Sequence, residues 1–256
     1  MIRSVARAGR VLKELAAGPP RLGVTELSER LAMPKATVYG LLRALESEGL
    51  VERDAETGRY RLGPAVLQLG NAYLDGNELR ARSLMWADSL AERAMQAVRV
   101  GVLVGWNVVI VHHVFRPDDS VQVLEVGATI PWHASALGKA IVANLDAAHR
   151  ETLLVGPLPT LTGWTVTEPD RLVAGLDEIA RRGVAIENQE AVLGEAEIAA
   201  VVLGREGPVG AIGAVGAAER LVPDGPAPDV VAAVREVGRG LSKDMGGRAA
   251  AAYRRG

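Results

Sequence analysis

The sequence predicts an α+β chain in two parts, helical with a small ribbon over its first sixty or so residues and sheet-rich from about residue 97. Three observations predict it. Before Gly49 the apolar residues recur at three- and four-residue steps, the period of a helix with one buried face. After Arg99 they fall in short β-type runs separated by Gly, Asn and Pro turn signals. Hydrophobic residues make up 48% and charged residues 23% of 256 residues, enough apolar material for two packed cores and too much for a disordered chain.

The first predicted helix covers residues 4–17, with Val5, Ala8, Val11, Leu12 and Leu15 on one side, and Gly18-Pro19-Pro20 stops it. A second, shorter helix covers residues 25–31, with Thr25 as its expected cap. Ala32-Met33-Pro34 is a tight break, and a third helix follows over residues 35–48, with Pro34 suited to its first turn. Val38, Leu41, Leu42 and Leu45 form its apolar stripe, so the opposite side carries Ala36, Gly40, Arg43 and Ser47, flanked by Thr37 and Tyr39. Lys35 stands at the end where free backbone N–H groups welcome phosphate oxygens. A helix that is small near its start and bears Thr37, Tyr39 and Arg43 suits entry into a major groove. Residues 50–53 and 59–62 are two short alternating runs joined through Gly58. A ribbon directly behind such a helix is a wing, and Arg59 and Arg61 on its return strand are placed to meet phosphates or a narrow minor groove. The expectation for residues 1–63 is a winged helix-turn-helix.

Pro64 opens a connector over residues 64–96, two helical runs interrupted by Asp75-Gly76-Asn77. Strands are then expected at residues 100–104, 108–114, 121–126, 183–187, 198–203 and 209–215, with Gly105-Trp106-Asn107 turning between the first two. Helices are expected at residues 135–145, 147–154, 170–182 and 229–245. An antiparallel sheet with flanking helices over residues 97–256 follows.

Composition narrows the function classes. The net charge of −2 hides an asymmetry: residues 1–63 hold 11 Lys and Arg against 8 Asp and Glu, a net of +3, and the remainder a net of −5. The helical part is the basic part, as nucleic-acid binding requires. There are no cysteines, so disulfides and thiolate metal sites are excluded and a reducing cytoplasm is the expected home. No signal-peptide pattern opens the chain and no run is long and apolar enough for a bilayer span. No cofactor, no metal and no catalytic set is expected. His112 and His113, neighbours on a strand, point to opposite faces. Ser135 and Lys139 lack S-x-x-K spacing and read as a cap beside a solvated lysine. Gly138-Lys139 lacks the Walker glycine, and Gly210, Gly213 and Gly216 read as close strand packing.

The run LSERLAMPKATVYGLLRALESEGLVERDAETGRYRLG resembles the N-terminal domain of the IclR family of bacterial regulators. HASALGKAI from His133, RRGVAIENQEAVLGEAEIAAVV and PVGAIGAVG resemble its second domain. Within the family, HHVFRPDDSVQVLEVGA is similar to the same stretch of actinobacterial glycerol-operon regulators. The resemblance implies a sheet of the GAF type, operator DNA as partner, and a homodimer or dimer of dimers held through the linker helix. Lys35, Thr37, Tyr39 and Arg43 then fall on the recognition helix; Thr25, Arg59 and Arg61 complete the expected DNA-contacting set. The family often has arginine where Gly40 stands. The effector pocket is implied at Ala136, Leu137, Glu187, Glu195, Glu197, Gly213 and Val215. Relatives that bind small carboxylates have hydroxyl side chains at the last two, and three glutamates favour a hydroxylated ligand, a polyol or its phosphate. The expected function is ligand-responsive repression of a catabolic operon, with glycerol utilisation as the narrower expectation. An activator of the same family is the alternative, ahead of a hydrolase or isomerase with an appended helical domain.

Overall fold

The structure, a computed structural model, describes residues 2–118 and 120–247. It divides between Gly76 and Asn77 into two compact units.

The first unit begins with α1 (Arg3–Ala17), α2 (Val24–Leu31) and α3 (Lys35–Ser47). The hairpin of β1 (Val51–Arg53) and β2 (Tyr60–Leu62) follows, then α4 (Ala65–Asp75). Val11, Leu15, Leu27, Val38 and Leu42, the inward members of each helical stripe, meet in one core closed by Tyr60 of the hairpin. Ala32 ends α2 in the left-handed region, and Ser28 Oγ donates to the Met33 carbonyl (2.6 Å), which fixes the tight turn into α3. Pro34 lies one position earlier than expected, at the N-cap of α3. Thr25 is not the cap of α2. That position belongs to Gly23, whose N–H donates to Glu26 Oε2 (2.7 Å), while Thr25 sits exposed within the first turn. Glutamate three residues after the cap is the stronger capping signal. Leu22 and Tyr60 exchange backbone hydrogen bonds of 2.9 and 2.8 Å, tying the return strand of the hairpin to the segment that enters α2.

The second unit opens with α5 (Glu78–Ala94) and carries a six-stranded antiparallel sheet in the order β5-β4-β3-β8-β7-β6. Its strands are β3 (Ala97–Val104), β4 (Asn107–Val114), β5 (Thr129–Pro131), β6 (Ala185–Asn188), β7 (Glu195–Leu203) and β8 (Pro208–Ala217). The helices are α6 (Ala136–Val142), α7 (Ala147–Leu154), α8 (Pro169–Arg182), α9 (Ala218–Leu221) and α10 (Pro228–Asp244). α6 packs over Ala199 on one face of the sheet. On the other face Gly238 of α10 abuts Ala200, where a Cβ on the glycine would stand 2.6 Å from the Ala200 methyl. Successive residues of a strand serve opposite layers, so both layers are written into β7.

Three expectations for this unit fail. Residues 121–126 form no strand: Val121 is fully exposed and Val123 nearly so, because the edge of β4 is taken by β5 instead. The helix expected over residues 135–145 is shorter, ending at Val142, and Lys139 within it is buried rather than solvated. Gly213 meets the expected close packing; a Cβ there would lie 2.8 Å from that of Ala199 and 2.9 Å from the Ile198 carbonyl.

Candidate functional site

Two surfaces carry the residues singled out from sequence, one in each unit. On α3 the inward stripe of Val38, Leu42 and Leu45 is buried, which turns Lys35, Ala36, Tyr39, Gly40 and Arg43 outward and leaves Thr37 half-buried beside them. Among the described residues neither Lys35 nor Arg43 has an ion-pair partner, so both cations remain available to an external anion. Nothing lies within 4 Å of where a Cβ on Gly40 would stand, so the helix presents a flat, open patch between Tyr39 and Arg43.

The wing arginines are differently placed. Arg59 donates through Nη2 to both Glu26 oxygens (2.7 and 2.6 Å) and through Nε to the Arg21 carbonyl (3.2 Å). Arg61 donates to Glu52 Oε2 across the ribbon (3.0 and 2.9 Å). Each meets a phosphate only by leaving or sharing a carboxylate. Glu26 serves the helix cap and the wing at once; its pKa is held low by the Gly23 N–H and then by Arg59.

In the second unit the predicted effector residues converge on the α6 face of the sheet. Strand register places Glu197 opposite both Glu187 on β6 and Val215 on β8, and Gly213 opposite Arg99 on β3. Ala136 and Leu137 begin α6 above them. The backbone N–H groups of these two residues, which at a helix start would welcome an anion, are already taken. Glu197 Oε2 accepts from Ala136 N (2.9 Å) and Leu137 N (3.2 Å), and Ser135 Oγ accepts from Gly138 N (2.9 Å). A side-chain carboxylate therefore occupies the anion position at the helix end. Glu197 is almost wholly buried, and its second oxygen, Oε1, has no hydrogen-bond partner.

Arg99, which sequence reasoning did not single out, organises the cluster. Its guanidinium pairs with both oxygens of Glu125, donates from Nη1 to Glu195 Oε1 (3.0 Å), and lies 3.9 Å from Glu197 Oε1. Burial alone would depress its pKa, but the Glu125 hydrogen bonds and the surrounding carboxylates raise it, so it stays a cation. Burial pushes the Glu197 carboxyl up against the opposing pull of Arg99. Glu187 is pushed up to about 8, first by burial and then by the charge of Glu197, although the Glu190 and Ala191 N–H groups hold its Oε1. At about 8 Glu187 keeps its proton at neutral pH, while Arg99 and the α6 N–H donors pull Glu197 toward the charged form against its burial. Lys139 and Glu190 form a buried ion pair alongside. The signal for Arg99 was present in the sequence: it is the one charged residue in a strand of otherwise apolar side chains.

His112 and His113 face opposite sides of β4, opposite Val100 and Arg99 respectively, and burial lowers the pKa of each. No group of three or more His, Asp or Glu among the described residues is arranged to hold a metal ion.

Comparison with known proteins agrees with this arrangement. The family model described as the IclR helix-turn-helix domain matches residues 4–55, and that of the bacterial transcriptional regulator IclR C-terminal domain matches residues 71–243. The chain is 48% identical to the glycerol operon regulatory protein of Streptomyces griseus, covering 96% of this chain and 97% of that one. It is 47% identical to the protein of the same name from Streptomyces coelicolor over the same shares. The crystal structure of an IclR transcriptional regulator from Alicyclobacillus acidocaldarius superimposes with a TM-score of 0.81 at 26% identity, covering 96% of this chain and 99% of that one. With a winged helix-turn-helix presenting an unpaired cationic helix, a sheet domain beside it in sequence and both family models matched, the chain belongs to the IclR family of bacterial transcriptional regulators.

Proposed function

We propose that this chain is a cytoplasmic repressor of a glycerol-utilisation operon, released from its operator by a small neutral polyol bound at the Arg99–Glu197 cluster. The glycerol assignment draws on the 48% identity, along nearly the whole of both chains, to a relative named for the glycerol operon. The observation that carries the ligand class is the Glu197 carboxylate. It fills the helix-end anion position and keeps a buried oxygen without a donor, while Glu125 and Glu195 add further negative charge around one arginine. A carboxylate or phosphate entering here meets repulsion, whereas a hydroxyl supplies the missing donor. Gly213 and Val215 leave the adjoining strand surface without hydroxyls of its own.

On the DNA side, Lys35, Thr37, Tyr39 and Arg43 enter the major groove, and Thr25, Arg59 and Arg61 steady the domain against phosphates. α4 buries none of its residues, and Leu67, Leu69 and Tyr73 are exposed along it. A second copy packs along that helix and sets the spacing of two recognition helices. The protein turns over no substrate in this reading.

The test is a gel shift with DNA from upstream of the glycerol-utilisation genes, with and without glycerol and glycerol 3-phosphate, at stated salt. Sequence-selective retardation relieved by glycerol supports the proposal. No selective shift at any salt, or relief by the phosphate alone, removes it. Activation rather than repression shows as lower reporter expression when the gene is deleted.

A further inference from the structure

At the edge of β7 that β6 leaves unpaired beyond Ala199, a cavity of about 530 Å³ lies between the end of α8, strand β7 and α10. That volume falls in the range of small-ligand pockets, about 300–1,000 Å³. Its charge is one-sided. Arg235, Arg239 and Lys243 recur every four residues along α10, a single stripe on the helix, and Arg181 and Arg182 face them from the end of α8. No acidic side chain is among the lining residues. Glu178, outside the cavity, is shared by Arg181 and Arg182 together, and among the described residues Arg235, Arg239 and Lys243 have no ion-pair partner. This positive lining sits in a stretch, residues 64–256, whose net charge is −5, so it is not the overspill of a basic domain.

A second observation points to a missing acceptor. Arg235 Nε is buried without a hydrogen-bond partner. An N–H withdrawn from water and left unpaired is costly, and such groups persist where something else completes them. The floor, by contrast, is finished: Ser242 Oγ donates to the Gly238 carbonyl (2.6 Å) and accepts from Leu203 N (3.0 Å), and Ala200 and Val201 add apolar surface.

We infer that this cavity is a second ligand site, for a small phosphorylated metabolite whose phosphate is gripped by Arg235, Arg239 and Lys243 and whose body rests on Ala200 and Val201. Guanidinium forks match phosphate oxygens two at a time, and three unspent cations suit a dianion better than a monovalent carboxylate. The site goes beyond the polyol reading above and is its electrostatic opposite: one arginine among carboxylates there, cations without carboxylates here.

Calorimetric titration of the full chain with glycerol 3-phosphate, pyrophosphate and inorganic phosphate at fixed salt tests it, with glycerol as the neutral control. The expected result is a Kd at or below about 1 mM for the organic phosphate and at least tenfold weaker binding in Arg239→Gln, an exposed position whose loss leaves the fold intact by circular dichroism. Arg235→Gln is expected to lose more. Unchanged binding in the Arg239→Gln, Lys243→Gln double variant overturns the inference, as does no heat up to about 10 mM. If the double variant loses only affinity for nonspecific DNA, the groove is a polyanion track and the inference also falls. Operator binding by the first unit is read separately, so either proposal can fail alone.

Discussion

Glu187 makes the stability of this protein depend on pH in a direction opposite to that of ordinary carboxylates. Its side chain is buried, with Glu197 across the strand pair and the Glu190 and Ala191 N–H groups on Oε1, and its pKa rises from 4.5 to about 8. Below pH 4.5 folded and unfolded chains both hold the proton. Between 4.5 and about 8 the folded chain keeps it and the unfolded chain releases it, so folding stability falls as pH rises through that window. At about 1.4 kcal/mol per unit the whole gap is worth on the order of 5 kcal/mol, a large share of the roughly 5–15 kcal/mol that holds a domain together. Glu187→Gln keeps the shape and the acceptor oxygen of the neutral acid and removes the titration. Urea unfolding of both proteins at pH 5, 6, 7 and 8 is the assay. The wild-type chain is expected to lose stability relative to the variant by about 1 kcal/mol or more per unit across this range. The half-buried His112 and His113 and the buried His133, whose pKa values burial lowers, pull the other way near pH 6, but they are common to both proteins and cancel in the difference. Parallel profiles for the two proteins would refute the reasoning.

Three other outcomes follow from the same geometry. Arg43→Ala is expected to weaken specific operator binding by about 1–3 kcal/mol and leave nonspecific affinity nearly intact; fluorescence anisotropy with operator and scrambled DNA reads the difference. Arg99→Met removes the sole arginine among Glu125, Glu195 and Glu197 and is expected to cost about 3–5 kcal/mol at neutral pH. That loss should shrink as pH falls, because burial raises the Glu197 carboxyl and it takes a proton before an ordinary carboxylate does, as unfolding across a pH series will show. Gly40→Ala, at an exposed mid-helix glycine with nothing within 4 Å of the new Cβ, is expected to raise stability by about 0.5–1 kcal/mol, measured by thermal unfolding.

The winged helix was legible because each of its parts carries a local signal. The stripe of Val38, Leu42 and Leu45, the break at Ala32-Met33-Pro34 and the turn at Gly58 all act within a few residues. Beside the one-position shift of Pro34, the slip there, Thr25 for Gly23 as cap, came from weighing a side-chain oxygen at the cap above the reciprocal glutamate at position 26. The carboxylate cluster around Arg99 was legible only in part. Glu195 and Glu197 were named, but the arginine joining them to Glu125 lies 26 residues before Glu125 and 96 before Glu195, and no periodicity reports a partner that far away. Residues 121–126 alternate as a strand does, yet alternation cannot say whether a neighbouring strand is there to pair; β5, three residues long and ending in proline, is too short to announce itself. The groove on α10 was missed because Arg235, Arg239 and Lys243 read as one solvated helix face until α8 is placed opposite.

The Glu197 carboxylate at the start of α6 works as a competitor that cannot diffuse away. Held by its own strand, it has a local concentration at the helix end of millimolar or more, so a free carboxylate must exceed that level before it gains the two N–H donors. The abundant organic acids of metabolism thereby face, at this helix end, a rival that is always present and never diluted.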